Sequence, residues 1–254
     1  MSRRRLDAEL VRRELVHSRT EAQRLISESK VLVGGVPIPK PASLVAADTP
    51  IELMSAERRW VSRGALKLLA ALETFPVDLA GKHVLDVGSS TGGFTEAALE
   101  GGAGSVTALD VGRAQLHESL LGDPRVLSME RTNFRHVDPA RIGAPFPVIV
   151  ADLAFISLCT VAGNLAAAAD DGADLILLVK PQFEAGKGHV GGGGVVRDQT
   201  VRERAVRHVI ECLAAAGLGA FGLIRSPIEG GDGNVEYLLW LRKGEDGLEL
   251  EVPS

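Results

Sequence analysis

The sequence predicts an α/β protein in which a doubly wound, mostly parallel sheet follows a small α+β domain. Strand patterns alternate with amphipathic helix patterns from about residue 83 to residue 216. A turn of small residues at 88–93 joins the first of those strands to a helix, as at the entry to a Rossmann-type unit. The first 53 residues instead predict two short helices and then a Gly-Gly hairpin.

Length and composition limit the classes of protein to consider. A chain of 254 residues can hold one large core and a small additional domain, and its mean hydropathy of +0.13 is ordinary for a globular protein. No apolar run reaches the ~18 residues of a membrane-spanning helix, and the basic start lacks a signal-peptide core. We therefore expect a cytoplasmic protein without a membrane partner. Cys159 and Cys212 are expected to be free thiols, with no disulfide and no metal.

Charge is unevenly distributed along the chain. The net charge of −5 combines +4 over residues 1–63 with −9 over the remainder. A basic arm on an acidic body is typical of a chain whose N-terminal part meets a polyanion. A mildly basic helical surface without a partner would give the same totals, so charge alone leaves both interpretations open.

The N-terminal domain is predicted over residues 1–54. Apolar spacing indicates a helix at about 6–15, and Ser18 with Glu21 forms the capping-box pattern of a second helix at 19–28. Gly34 and Gly35 interrupt an apolar run and indicate a hairpin, and a further strand is expected at 48–53. A polar linker is expected at 55–61.

The second domain is predicted over residues 62–243, before a loose tail at 244–254. Its first helix should run from 62 to about 75, where Pro76 ends it. Strands are expected near 83–88, 104–110, 125–130, 147–152, 174–180, 219–225 and 235–242, and helices near 93–101, 112–120, 159–169 and 200–216. Too few residues separate the last two strands for a crossover helix. The last two strands are therefore predicted to form a terminal hairpin, which gives one antiparallel strand in a seven-stranded sheet.

The turn at 88–93 has three interpretations. Its glycines and the helix start suit a cofactor loop, but Ser90 occupies the position of the second glycine in the dinucleotide pattern. The same residues match G-x-S-x-G, the nucleophile elbow of hydrolases. A simple tight turn is the third possibility.

Acidic residues stand at the ends of successive predicted strands, and they distinguish among these three interpretations. Asp86, Asp110, Glu130 and Asp152 should lie at the carboxyl edge of the sheet, where ligands of such folds bind. Repeated carboxylates would repel a pyrophosphate and favour a positively charged, adenosine-containing cofactor such as S-adenosylmethionine. The fifth strand ends in Lys180, whose amine should reach the same site. The glycine-rich segment 186–194 is either a lid or an ordinary loop.

Five motifs in order resemble one family, and RWV (59–61) resembles its interdomain linker. The motifs are RGALKL (63–68), DVGSSTGGFT (86–95), DLAFISL (152–158), VKPQFE (179–184) and GNVEY (233–237). Together they resemble the TlyA family, bacterial rRNA 2′-O-methyltransferases with an FtsJ-like domain of the class I methyltransferase fold. The first 55 residues resemble the small RNA-binding domain of ribosomal protein S4. The resemblance implies methylation of a cytidine ribose in 16S or 23S ribosomal RNA.

The resemblance also assigns residues to roles. It implies a Lys-Asp-Lys-Glu tetrad, which falls on Lys67, Asp152, Lys180 and Glu236. With the strand-end acids, it gives a cofactor set of Asp86, Gly88, Ser89, Ser90, Thr91, Gly92, Gly93, Phe94, Asp110, Glu130, Arg131, Asn133 and Asp152. The expected RNA contacts are Arg4, Arg5, Arg12, Arg13, Arg19, Arg24, Lys30, Lys40, Arg59 and Arg63, since guanidinium groups bind phosphate in a bidentate manner.

The tetrad agrees with the chemistry of a ribose hydroxyl, which is a poor nucleophile until its proton is leaving. A lysine is protonated in water at neutral pH, but desolvation and a second ammonium group favour the neutral amine. We therefore assign Lys180 as the general base and Lys67 as its cationic neighbour, with Asp152 and Glu236 orienting both. Two alternatives remain: a ribosome-assembly factor that binds RNA without turnover, and a cytolysin, a label carried by relatives of this family.

Overall fold

The computed structural model describes residues 3–13, 15–16, 18–38, 40–46, 48–53, 60–186, 188, 191 and 193–254. The chain divides into two compact units, Met1–Arg59 and Trp60–Ser254. Most of the expected linker, including Arg59, lies outside the described residues. Its last two positions belong to the larger unit, because the Val61 backbone N–H donates to the Glu96 carboxylate at 2.7 Å.

The smaller unit contains two helices and two small sheets. Its elements are β1 (Arg3–Arg5), α1 (Leu6–Arg12), α2 (Arg19–Ser27), β2 (Val31–Val33), β3 (Val36–Pro37), β4 (Leu44–Ala46) and β5 (Ile51–Leu53). The Ser18 hydroxyl accepts the Glu21 N–H at 3.2 Å, which confirms the predicted cap of α2. Gly34 and Gly35 both have positive φ and join β2 to β3 in the predicted hairpin. The pairing of β1 with β4 was not predicted, because three successive arginines have no strand pattern.

The larger unit is built on one seven-stranded sheet. Its strands are β6 (His83–Val87), β7 (Ser105–Leu109), β8 (Val126–Met129), β9 (Phe146–Ala151), β10 (Ala169–Val179), β11 (Leu218–Arg225) and β12 (Tyr237–Lys243). Its helices are α3 (Gly64–Thr74), α4 (Gly93–Glu100), α5 (Glu118–Leu121), α6 (Leu158–Ala168), α7 (Pro181–Glu184) and α8 (Gln199–Ala215). The strand order is β11-β12-β10-β9-β6-β7-β8, with β12 antiparallel to both of its neighbours. The predicted fold class is therefore confirmed.

Both faces of this sheet are covered, as the continuous apolar strands require. Leu175 and Leu177 of β10 pack into the cluster beneath α6 and α8, whereas Ile176 and Leu178 face α3 and α4. The helix expected at 112–120 shortens to α5. The Asp110 carboxylate accepts the Gly112 N–H at 2.7 Å, and this bond holds the start of the expected helix in a non-helical turn.

The C-terminal tail is packed against the larger unit, so the expected loose tail was wrong. The Leu248 N–H donates to the Ala220 carbonyl at 2.7 Å, and Leu250 and Val252 pack against the core. Gly219 and Gly247 allow this contact. A Cβ atom on Gly219 would lie 2.6 Å from the Gly247 nitrogen, too close for any side chain.

The two cysteines form a disulfide, so the expectation of free thiols was also wrong. Cys159 on α6 and Cys212 on α8 have Cα atoms 5.4 Å apart. Both helices cover the same face of the sheet, through Val161 on α6 and Val209 on α8, a proximity that a separation of 53 residues does not reveal. Among the helices that the structure describes, none combines the length and apolar character that crossing a membrane needs.

Candidate active site

The carboxyl ends of four parallel strands meet at one edge of the larger sheet. The turn at 88–93 follows β6, Asp110 follows β7, Asp152 follows β9 and Lys180 follows β10. From β6 the chain continues to β7 and β8 on one side, and from β9 it continues to β10 on the other side. The gap between β6 and β9 is therefore the topological switch point, where ligands of such sheets bind. Because β12 is antiparallel, Glu236 at its start lies at the same edge as Lys180.

The turn at 88–93 is shaped by its glycines. Gly88 and Gly92 have φ angles of +83° and +100°, in the left-handed region that favours glycine. A Cβ atom on Gly88 would lie 2.8 Å from the Asp152 carbonyl oxygen. Ser90, also at positive φ, donates its N–H to the Asp110 carboxylate at 2.9 Å. Ser90 therefore holds the turn against β7, and no observation gives it the role of a nucleophile.

Gly88→Ala is expected to disrupt this edge, because the added methyl collides with the backbone that carries Asp152. Displacement of that strand end should weaken binding of the expected cofactor at least tenfold, with a smaller loss of thermal stability. Isothermal titration with S-adenosylmethionine, the cofactor that the sequence predicts, measures the effect. Gly163→Ala is a matched control, since a Cβ atom there would meet nothing within 4 Å. Unchanged affinity in Gly88→Ala would show that the turn does not form the binding surface.

Two cavities open at this edge. The first, of about 340 Å³, is lined by Ser62, Arg63, Gly64, Lys67, Gly88, Ser89, Ser90, Thr91, Gly93, Phe94, Asp152, Ala154, Lys180, Ile228, Glu229, Gly230 and Gly231. The second, of about 410 Å³, is lined by Gly88, Ser90, Leu109, Asp110, Val111, Gln115, Thr132, Asn133, Phe134, Arg135, Asp152, Leu153, Ala154, Phe155, Ile156 and Val161. They share Gly88, Ser90, Asp152 and Ala154, so a ligand can extend from one into the other.

Two ion pairs stand at the first cavity. Lys67 Nζ lies 2.6 Å from Glu236 Oε2, and both side chains are buried. Lys180 Nζ lies 2.5 Å from Asp152 Oδ1 and is slightly more accessible. Gln182 Nε2 approaches the other oxygen of Glu236 at 3.5 Å. Three of the four residues that the resemblance singled out, Lys67, Asp152 and Lys180, thus line one cavity. The fourth, Glu236, does not line it but holds Lys67.

The expected cofactor residues divide into two groups. Gly88, Ser89, Ser90, Thr91, Gly93, Phe94, Asp110, Asn133 and Asp152 line one or both cavities. Asp86, Gly92, Glu130 and Arg131 line neither. Asp86 is fully buried behind the turn, where its carboxylate accepts the Thr95 hydroxyl at 2.6 Å. Burial raises the pKa of Asp86 to about 7. The expectation of direct cofactor contact by Asp86 is therefore replaced by support of the turn from below.

Several residues at the cavities were missed by sequence reasoning. Phe155 is 91% exposed and has a left-handed backbone at φ +64°, an uncommon state for a bulky residue. Its ring centroid lies 5.3 Å from that of Phe183, and Lys180 Nζ lies 5.9 Å from the Phe183 ring centroid. Residues 228–231 form a further wall that no sequence pattern indicated. The signal for Phe155 was an aromatic residue three positions after the strand-end acid Asp152.

The glycine-rich segment considered as a lid is attached at its C-terminal end. The buried Asn234 amide accepts the Val196 N–H at 3.1 Å and donates to the Gly194 carbonyl at 3.0 Å. Asn234 belongs to the segment that leads into β12 and Glu236. Lys187, His189, Val190 and Gly192 lie outside the described residues, so the lid hypothesis stays a prediction.

In the smaller unit, a buried carboxylate organises part of the expected RNA surface. Asp7 is fully buried and accepts hydrogen bonds from Arg5 at 2.9 and 3.1 Å and from Arg19 at 3.0 Å. The Arg5 hydrogen bond is the largest cause that holds the pKa of Asp7 well below its usual range. Both arginines remain about half exposed, so each presents a fixed guanidinium group at the surface.

A second buried carboxylate, Glu9, holds two further arginines. It accepts from Arg12 at 2.6 and 2.8 Å and from Arg13 at 2.8 Å, and these bonds lower the pKa of Glu9 to about 2. Arg12 stays half exposed, but Arg13 turns inward and also donates to the carbonyls of Thr49 and Ala46. Arg13 therefore stabilises the fold, and its expected role as an RNA contact stays a prediction.

The remaining expected RNA contacts are dispersed. Arg4 lies 4.0 Å from Glu9 and is exposed, Arg24 and Lys30 pair with Glu28 at 3.3 and 3.0 Å, and Lys40 is exposed. Arg63 belongs to the larger unit, where it lines the first cavity.

Glu9→Gln should destabilise the smaller unit at pH 7 and lower its melting temperature by roughly 5 °C. The folded-state pKa of Glu9 is depressed, so its stabilising contribution is present above about pH 4.5 and is lost as pH falls toward 2. The difference in melting temperature between wild type and Glu9→Gln should therefore become smaller as pH falls from 4.5 toward 2. Calorimetry of the full chain at pH 7, 4 and 2.5 measures it. A difference that is constant with pH would contradict the assignment, and Glu52→Gln, at an exposed glutamate on β5, serves as the control.

Comparison with known proteins agrees with this geometry. The sequence model of the family of FtsJ-like methyltransferases matches residues 60–243. These residues belong to the unit that carries both cavities and both ion pairs. The chain belongs to this family. Residues 4–51 match the S4 domain, the RNA-binding domain expected from the sequence. The predicted resemblance is thereby confirmed.

Relatives match this FtsJ-like methyltransferase over most of its length. The chain is 51% identical to the 16S/23S rRNA (cytidine-2′-O)-methyltransferase TlyA of Mycobacterium tuberculosis, over 97% of this chain and 92% of that protein. It is 36% identical to Hemolysin A of Brachyspira hyodysenteriae, over 92% and 98% of the two chains. A solved structure from Streptococcus thermophilus, described as a hemolysin, superposes with a TM-score of 0.73 at 36% identity, covering 97% of this chain and 90% of that one.

Proposed function

We propose that this FtsJ-like methyltransferase uses S-adenosylmethionine to methylate the 2′-hydroxyl of cytidine in ribosomal RNA. The observation that carries the proposal is the convergence of Lys67, Asp152 and Lys180 at a cavity that adjoins a second one, with Lys67 held by the buried Glu236. The names of its TlyA relatives supply the nucleotide and the RNA class. An enzyme with this substrate is expected in the cytoplasm.

The second cavity fits the proposed cofactor. Its volume of about 410 Å³ is within the range of small-molecule sites. Leu109, Phe134 and Leu153 offer apolar surface for a purine ring, and Asp110, at the end of the second strand, suits a ribose diol. Asp152 faces both cavities and provides negative charge for a cationic sulfur. When bound, S-adenosylmethionine supplies a methyl group activated by its sulfonium.

The chain's own residues then align and deprotonate the acceptor. Lys180 Nζ, held by Asp152 Oδ1, is the group that accepts the proton of the 2′-hydroxyl. The step requires Lys180 to react as the neutral amine. Lys67, held by Glu236, keeps a positive charge on the same wall and positions the ribose or its phosphate. Most of the rate enhancement is expected to come from alignment of hydroxyl and methyl.

Phe155 is proposed to stack on the target nucleobase or its neighbour, since an exposed aromatic ring is a sequence-tolerant platform. Its ring packs against Phe183, and the Phe183 ring lies near Lys180 Nζ. Phe155→Ala is expected to weaken productive RNA binding by about 10- to 100-fold, equivalent to about 1–3 kcal/mol of stacking. S-adenosylmethionine affinity should fall by a smaller factor, because Phe155 also lines the second cavity but is 91% exposed. Steady-state kinetics with ribosomal subunits measures the first effect and calorimetry the second. Wild-type KM and kcat in this variant would contradict the role, and Phe155→Trp should retain most activity.

The proposed function is tested by incubating the purified protein and S-adenosylmethionine with 30S and 50S subunits from cells that lack this protein. Mass spectrometry of nuclease digests should then show 2′-O-methylcytidine. A methyl group on a base, on protein or nowhere would contradict the proposal. An RNA-binding assembly factor would bind the subunits without transferring a methyl group.

A further inference from the structure

A thiol pair with an adjacent histidine lies outside the proposed active site. Cys159 on α6 faces Cys212 on α8, and His208 stands one turn before Cys212 on the same helix. The two sulfurs and a His208 ring nitrogen all lie within 4.8 Å of one another. None of the three lines either cavity, so methyl transfer gives no reason for their grouping.

The geometry distinguishes the two cysteines. His208 Nε2 lies 3.7 Å from Cys212 Sγ, and a protonated imidazole at that distance stabilises a thiolate. Both thiols are half-buried and His208 is exposed, so a small oxidant can reach the cluster. Cys159 Sγ instead lies 3.9 Å from the His208 carbonyl oxygen. Cys212 is therefore the more reactive thiol, and Cys159 stands where a second thiol can resolve its oxidation.

We propose that Cys212 and Cys159 form a reversible oxidation site for hydroperoxides. The Cys212 thiolate attacks a peroxide oxygen, the O–O bond breaks, and the released alkoxide or hydroxide takes up a proton. The Cys159 sulfur then bonds to Cys212 Sγ, its proton leaves, and the S–O bond breaks to release water. Two thiols thus lose two electrons and two protons, and the hydroperoxide is reduced to an alcohol, or to water when it is hydrogen peroxide, plus one water. A dithiol reductant reverses the reaction.

The disulfide anchors a helix that is connected to the segment after Lys180. Ser157, the cap of α6, donates its hydroxyl to Glu184 Oε2 at 2.6 Å, and the Leu158 N–H donates to Glu184 Oε1 at 2.9 Å. Glu184 ends α7, which begins directly after Lys180. Joining α6 to α8 therefore fixes the helix on which this short segment rests. Oxidation is expected to stabilise the larger unit through this link.

The test begins with fully reduced protein from which the reductant has been removed. Addition of hydrogen peroxide should yield a Cys159–Cys212 linked peptide, detected by differential alkylation and mass spectrometry, and dithiothreitol should remove it. Cys159→Ser should stop at a sulfenic acid on Cys212 that dimedone traps. His208→Gln should slow the reaction about tenfold at pH 7, since less thiolate is present. His136→Gln, at an exposed histidine outside the cluster, is the matched control.

A second measurement is independent of the oxidant. Reduction should lower the melting temperature of the larger unit by roughly 5–10 °C, as expected for a cross-link that closes a loop of this length. Cys159→Ser should abolish that shift. Equal oxidation rates in wild type and His208→Gln, or a disulfide that does not form from the dithiol, would overturn the proposal. So would stoichiometric Zn²⁺ bound by the reduced protein through the same three residues. These experiments measure the oxidation state of the thiols or a melting temperature, and none measures methyl transfer. A negative result would therefore contradict the oxidation site without contradicting the proposed function.

Discussion

Lys180→Ala is expected to lower kcat for methyl transfer to ribosomal subunits by about 10²–10⁴-fold, the usual contribution of a general base. S-adenosylmethionine affinity should change little, because the substitution removes an amine from the first cavity and leaves the wall of the second intact. Calorimetry measures cofactor binding, and single-turnover methylation measures the chemical step. The separation of the two effects is what identifies a residue that acts on the proton.

A matched control shows whether any lysine substitution has this effect. Lys82 lies at the amino end of β6, at the opposite edge of the same sheet, and Lys82→Ala should retain full activity. Lys180→Arg should also be inactive, because a guanidinium group keeps its proton. Substantial turnover by either Lys180 variant would show that the hydroxyl proton leaves by another route.

Glu236→Gln should lower both stability and activity, because it leaves the buried Lys67 ammonium without its carboxylate. Removing one partner of a buried pair costs about 3–5 kcal/mol, and the adjoining cavity allows some solvation, so we expect roughly 3 kcal/mol. Urea unfolding measures the loss. Lys67→Met with Glu236→Gln should be less destabilised than the sum of the single variants, with a coupling energy of about 1–3 kcal/mol.

A surface ion pair in the same unit provides the comparison. Arg242 and Glu245 lie 2.8 Å apart with both side chains about 40% exposed, so Glu245→Gln should cost less than about 1 kcal/mol. Additive effects at Lys67 and Glu236 would contradict a direct pair. Loss of stability with full methyl transfer would restrict that pair to a structural role.

The alternating apolar segments were enough to predict the larger sheet. Continuous apolar runs such as 175–179 indicate strands covered on both faces, and the short spacing before β12 predicted the antiparallel strand. The helix expected at 112–120 was overestimated, since the side chain of Asp110 competes for the Gly112 N–H, and local propensity does not include that bond. The tail was misjudged because its contacts depend on Gly219 and Gly247 meeting across the fold.

The candidate site was only partly accessible to sequence reasoning. Strand-end positions located Asp110, Asp152 and Lys180, because parallel strands bring their carboxyl ends together. Which lysine pairs with which acid depends on distances between remote segments, and the pairing Lys67–Glu236 joins residues 169 positions apart. Pattern alone likewise could not distinguish the surface-facing Arg12 from Arg13, which the Thr49 carbonyl draws inward.

The proposed function is tested most directly by mapping 2′-O-methyl groups on ribosomal RNA from cells that lack this protein and from cells that regain it. Wild type should restore methylation at a defined cytidine, and Lys180→Ala, produced at the same level, should not. Restoration by Lys180→Ala, or identical methylation maps with and without the protein, would contradict the assignment of this site as a ribose methyltransferase.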